Sequence, residues 1–255
     1  MTYGISVNNY TNQLLISDTY ATPQFLGKLT SPTLSSTSTA GGYNVYEYIY
    51  SGLSNPVANS PLMFFATLPN TSAVNYYCLD PGMAFSAPSG TVVYSLRVVT
   101  TNSVGFALPE IYVFTLVNHK AATGFGVQVF NPSGALTFDS RNTPLGIISL
   151  TDFGVSTGDI YPYTGEVARA VGGPWDGSNK LAYLIPYYFA DKHGRFGNTF
   201  QYAGGIRAVG NASFYTSAMP VYDDGTPDSG VSYQHDYTPN TNPVTWAIIN
   251  AAKYD

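Results

Sequence analysis

The sequence predicts an all-β fold of two tandem, related β-sandwich-like modules, on three grounds. The first is composition. Of 255 residues, 25 are charged and 38 are aromatic, 22 of them tyrosine, where an ordinary globular chain is about a quarter charged. Three Glu and five Lys cannot furnish solvated helix faces, whereas Tyr, Phe, Val, Ile and Thr suit the pleated, half-buried surface of a strand. Second, short apolar runs alternate with Gly, Pro and Asn at a spacing of roughly 8 to 15 residues, the rhythm of antiparallel sandwiches. The third is a repeat: residues 3–18 align without a gap on 125–140, at an offset of 122 throughout.

Each copy of that repeat opens on an aromatic residue and a glycine (Tyr3 and Gly4; Phe125 and Gly126) and runs through a strand, an Asn-rich turn (9–12; 131–134) and a second strand. This is a hairpin signature. In the first half, further strands are expected at 43–50, 62–68, 73–79, 91–100 and 110–117. In the second they are expected at 125–130, 136–139, 146–150, 159–163, 181–189, 200–209, 212–219, 231–236 and 245–251. Weaker echoes keep the same order, 95–99 against 205–209 and 109–114 against 243–248. A period of this length is too long for a solenoid, so each copy is expected to hold its own core. The modules are placed at 1–120 and 124–255, with the boundary in 119–123. The Ser/Thr-rich stretch 30–42 has no apolar period and the stretch 223–230 is rich in Pro, Gly and Asp. Both read as exposed loops.

Charge and cysteine content narrow the function. A net charge of −5 with ten scattered basic residues cannot build a phosphate-neutralising stripe, so nucleic acid is not expected as a partner. The single cysteine, Cys78, excludes an intramolecular disulfide framework and a multi-Cys metal site, and it reads as core. The first residues form neither a charged n-region nor an apolar h-region, and no run approaches 18 apolar residues. The expectation is a soluble protein made in a cytoplasm, with no membrane insertion. Without secretion, the glycosylation-like triplets at Asn9, Asn70 and Asn211 reflect only Asn and Thr abundance.

Candidate chemistry is sparse. His193 stands in the densest polar stretch, 190–198, yet no nucleophile motif or second His accompanies it. Asp223, Asp224 and Asp228 bring three carboxylates together without the alternation or closing Glu of a calcium loop. His119, His193 and His235 lack metal-ligand spacing, and Glu47, Glu110 and Glu166 are a thin stock for a carboxylate pair. No Gly-rich phosphate cradle precedes a helix. No catalytic, cofactor-binding or metal residue is assigned, no cofactor is expected, and the chain is not expected to be an enzyme. The tyrosines favour contact, since a rigid apolar face with a polar tip suits interfaces and sugar-stacking surfaces alike.

The stretch Gly126-Val127-Gln128-Val129-Phe130-Asn131-Pro132-Ser133-Gly134, closing on Phe138-Asp139-Ser140, resembles the Gly-Leu-Gln-Val-Phe-Asn-x-Ser-Gly-x-x-x-Phe-Asp-Ser opening of a family of small β-rich proteins of tailed bacteriophages. The first copy departs from it at Asn8, Asn12, Ser17 and Asp18. The resemblance implies a tail-tip or tail-fibre structural protein located in the virion. It also implies other tail proteins as partners and a homo-oligomer, trimeric or a sixfold ring, serving assembly and host attachment. It transfers no site residue. A second reading is a carbohydrate-binding, receptor-recognition module that docks host surface glycan through exposed tyrosines and Trp175.

Overall fold

A computed structural model describes residues 6–8, 14–17, 21–40, 42–54, 61–69, 75–79, 85–86, 90–101, 107–116, 125–153, 167–170, 180–184, 192–195, 198–209, 213–223 and 244–255. The fold is all-β, as the composition predicts. Every strand pairing among the described residues is antiparallel.

A six-stranded sheet runs β13 (Ile147–Phe153), β19 (Val244–Asn250), β15 (Leu181–Leu184), β6 (Leu62–Thr67), β10 (Ile111–Thr115), β3 (Gln24–Leu29). A nine-stranded sheet runs β14 (Val167–Ala170), β18 (Ser213–Asp223), β17 (Asn198–Val209), β7 (Asn75–Leu79), β9 (Thr91–Thr100), β5 (Tyr43–Ser54), β4 (Thr33–Ala40). It also carries β16 (Lys192–Arg195) on β17 and β8 (Phe85–Ser86) on β9. Two hairpins stand beside the sheets, β1 (Ser6–Asn8) with β2 (Leu14–Ser17) and β11 (Gln128–Phe130) with β12 (Leu136–Asp139).

The two hairpins share one register. Ser6 faces Ser17, Val7 faces Ile16 and Asn8 faces Leu14; adding 122 to each number gives the pairs of the second hairpin, with the register irregularity at the same step. The longer strands repeat as well. Each half runs from its hairpin to an outer strand of the six-stranded sheet (β3; β13), out to the nine-stranded sheet (β5; β14), and back to an inner strand of the six (β6; β15). It then crosses to two neighbouring strands of the nine (β7 and β9; β17 and β18) and ends on the middle strand of its half of the six (β10; β19). The echo of 109–114 in 243–248 joins equivalent strands, β10 and β19. That of 95–99 in 205–209 does not, because β9 corresponds in order to β18 rather than β17.

Neither sheet stops at the expected boundary. Tyr183 of β15 pairs with Ala66 of β6, and Ile206 of β17 with Tyr77 of β7. One buried cluster lies between the sheets, drawing Leu26, Phe64, Ile111, Val113, Tyr183 and Ile248 from the six and Tyr50, Tyr77, Tyr94, Leu96 and Val98 from the nine. The halves thus share a sandwich core, where separate cores were expected. The reason is edge pairing: β6 and β7 end the first half's contribution to each sheet with unpaired backbone groups, and the second half satisfies them.

The other face of the six-stranded sheet is covered too. Phe65, Tyr112, Phe114, Ala247 and Ile249 pack there under Tyr254, which follows the 3-10 turn Ala251–Lys253. The Tyr254 ring meets Phe25 at 5.2 Å and Phe114 at 4.9 Å, the latter edge-on, and its hydroxyl donates to the Pro144 carbonyl at 3.0 Å. Several core tyrosines reach backbone in the same way: Tyr50 and Tyr77 donate to the carbonyls of Pro109 and Ala107, both at 2.8 Å, pinning the entry to β10.

The expected loop at 30–42 is instead β4 over most of its length. Its residues Thr33 to Thr39 are all exposed. An edge strand with solvent on both faces shows no apolar alternation, while β-branched Thr keeps the backbone extended. Expected strands at 159–163 and 231–236 lie outside the described residues, as does the stretch 224–230.

Candidate functional site

The residues that carry the phage resemblance form the second hairpin, and their side chains build it. Asn131 caps the turn: its Oδ1 accepts from Ser133 N, Ser133 Oγ and Ala135 N at 3.1, 2.7 and 2.8 Å. Gly134 closes it at φ +81°, a conformation that costs a side-chain-bearing residue about 1 kcal/mol. Val129 and Phe138 are buried, and Val127 N donates to Ser140 Oγ at 2.8 Å. Asp139 is buried and takes Arg141 through both oxygens, Nε at 2.8 Å and a terminal nitrogen at 2.5 Å, with Gln128 Nε2 at 2.9 Å. The Arg141 side chain, helped by its backbone N–H, holds the Asp139 carboxyl well below the usual carboxylate range. A Cβ on Gly126 would stand 2.6 Å from Arg141 Cγ, so this glycine lets the Arg141 stem lie over the strand. At the equivalent places the first copy has Ser17 and Thr19, and it lacks this ion pair.

A second constellation gathers where Asp255 meets the six-stranded sheet. Lys28 bridges Glu110 at 3.2 Å and Asp255 at 2.9 Å; Lys180 also bridges Glu110, and Asp255 at 3.0 Å. Tyr112 donates to Asp255 at 2.6 Å, and both ammonium groups sit over its ring at 5.5 to 5.6 Å. Lys180 draws the Glu110 carboxyl down, and the Tyr112 hydroxyl does so for Asp255. Asp255 raises Lys28, whereas for Lys180 burial opposes the charge and the two carboxylates overcome it. Charges balanced this closely clamp residues 251–255 onto the sheet and offer no unpaired acid or base. Glu110, weighed in sequence as one of a carboxylate pair, belongs to this clamp.

A third feature is concave. Thr37, Ser38 and Thr39 of β4 with Asn44 and Tyr46 of β5 line an open groove of about 370 Å³. In the register Thr37 faces Tyr46 and Thr39 faces Asn44, so these four share one face of the sheet. Glu47 turns to the other face, accepting from Ser36 at 2.8 Å and Ser95 at 3.3 Å.

Of the remaining sequence candidates, Cys78 is fully buried, its thiol pushed up to about 12 by burial. His193 stands in β16 opposite Phe200, and Asp223 ends β18. His119, Glu166, Trp175, Asp224, Asp228 and His235 lie outside the described residues. Among the described residues no three His, Cys, Asp or Glu side chains gather as metal ligands, and no helix is long and apolar enough to cross a membrane. Sequence reasoning missed the clamp and the groove: their members are far apart in the chain or, in β4, sat in an expected loop. No family model, curated protein or solved structure matches the chain.

Proposed function

We propose that this protein is a structural component of a bacteriophage tail, at the tip or in a fibre, made in the host cytoplasm and carried in the virion. Its work is assembly and host attachment. The observation that carries this reading is the β13 edge. Among the described residues that strand closes the six-stranded sheet, with Ile147, Ile148 and Leu150 exposed, Leu150 at 63%, and apart from Asp152 near its end it holds no charge and no Pro to blunt a free edge. The hairpin nearby in sequence exposes Phe125, Val127 and Phe130. Apolar edges of this kind favour a permanent neighbour. Together with the hairpin motif, they support other tail proteins and further copies of this chain as partners; the trimer or sixfold ring comes from the resemblance alone. The repeated strand order supports an origin by internal duplication of modules 1–120 and 124–255. Quantitative mass spectrometry of purified particles tests the reading: the chain is expected at a fixed ratio to the tail proteins, and its absence would refute it.

A second reading is favoured by the groove on β4 and β5. Neutral hydroxyls and a carboxamide beside a tyrosine ring suit a carbohydrate, which makes this face a receptor-recognition surface. Neither reading assigns a catalytic role, a cofactor or a metal.

A further inference from the structure

The geometry points to a saccharide-binding groove on the β4–β5 hairpin, with Thr37, Thr39, Asn44 and Tyr46 as its contact residues. This rests on the carbohydrate reading above and gives it a location. Strand register sets the lining. Antiparallel pairing sets Thr37 opposite Tyr46 and Thr39 opposite Asn44, so two hydroxyls, a carboxamide and an aromatic ring share one face, with Ser38 at the rim. Further along β5 that face turns Tyr48 and Tyr50 to the sandwich core, which anchors the strand beneath the groove.

The lining chemistry selects the ligand class. Among the described residues the lining holds no Lys, Arg, Asp or Glu, which disfavours phosphates, acidic sugars and cations as ligands. Nor do the described lining residues supply an aliphatic wall, which disfavours a lipid chain or an apolar peptide. A neutral sugar matches both halves of the lining, its hydroxyls bonding Thr and Asn and its C–H face lying on the tyrosine ring. At about 370 Å³ the groove lies at the lower end of the range for small-molecule sites, room for a short stretch of a longer glycan.

The test uses the full-length protein on an array of neutral bacterial surface oligosaccharides, followed by titration of the best-binding glycan against variants. Tyr46→Ala is expected to weaken binding about tenfold, the loss of one aromatic contact. Thr37→Val/Thr39→Val, which keeps β-branched shape on an exposed strand, should weaken it several-fold at an unchanged melting temperature. Leu150→Ser, on the other sheet, should leave binding unchanged. Glycan binding that survives both groove variants would overturn the location and leave the carbohydrate reading standing. No glycan binding at all would refute both, as would binding to extended peptides only, which would make β4 a strand-addition edge.

Discussion

Tyr94 offers the most discriminating test of the core. Its side chain is fully buried between the sheets, with the ring 4.6 Å from that of Phe64 and 6.3 Å from that of Tyr50, the latter edge-on. Among the described residues the hydroxyl has no hydrogen-bond partner, and burial drives its pKa far above the usual tyrosine range. A buried hydroxyl without a partner carries a desolvation penalty of about 1 to 3 kcal/mol. Tyr94→Phe removes that oxygen and keeps both ring contacts, so it should stabilise the fold by about 1 kcal/mol or more. In a chain of this length that raises the melting temperature by about 2 to 4 °C. Tyr50→Phe is the control with the opposite sign: Tyr50 donates to the Pro109 carbonyl at 2.8 Å, and its loss should cost about 1 kcal/mol or more. Differential scanning calorimetry of the two variants beside wild type reads both signs. A destabilised Tyr94→Phe would show that the hydroxyl is satisfied and that this part of the core is packed otherwise.

Acid stability should depend on Asp139. Its folded carboxyl is held below the unfolded value, so its contribution is complete above the unfolded pKa of about 4 and fades as pH falls toward the folded one. Urea midpoints should therefore drop less steeply below pH 4 in Asp139→Asn than in wild type, and parallel curves would remove the ion pair from the account. Gly126→Ala should cost about 1 to 2 kcal/mol through the displaced Arg141 stem, and equal melting temperatures would refute that contact. Leu150→Lys should change monomer stability by less than about 0.5 kcal/mol yet abolish incorporation into particles; normal incorporation would clear β13 of a role in assembly.

Much of the fold was legible because buried strands carry an alternating or fully apolar pattern. Residues 91–100 and 136–139 were read at the bounds the structure gives, and the shared hairpin register followed from an ungapped offset. What escaped had a physical cause. β4 is exposed on both faces, so its Ser and Thr residues mimic a loop, and Gln24–Leu29 is interrupted by Gly27, whose missing side chain makes room for Leu53. Which strand ends the halves use to meet is also invisible locally, since Ala66 with Tyr183 and Tyr77 with Ile206 are pairings set by tertiary closure. The tyrosine excess, read as contact surface, is divided: Tyr50, Tyr77, Tyr94, Tyr112, Tyr183 and Tyr254 are buried, while Tyr46 lines the groove. The charged clamp at Asp255 joins Lys28, Glu110 and Lys180 from three separate regions and left no mark in the sequence.

We propose that this sandwich is an assembled tail part whose β13 edge is covered in the particle. Electron cryomicroscopy of the intact tail at side-chain resolution tests it most directly. The account predicts density for this fold in several copies, with Ile147, Ile148 and Leu150 buried in an interface of more than about 1,000 Å² in total. A tail that lacks the chain, or one in which the β13 edge faces open solvent, would contradict it.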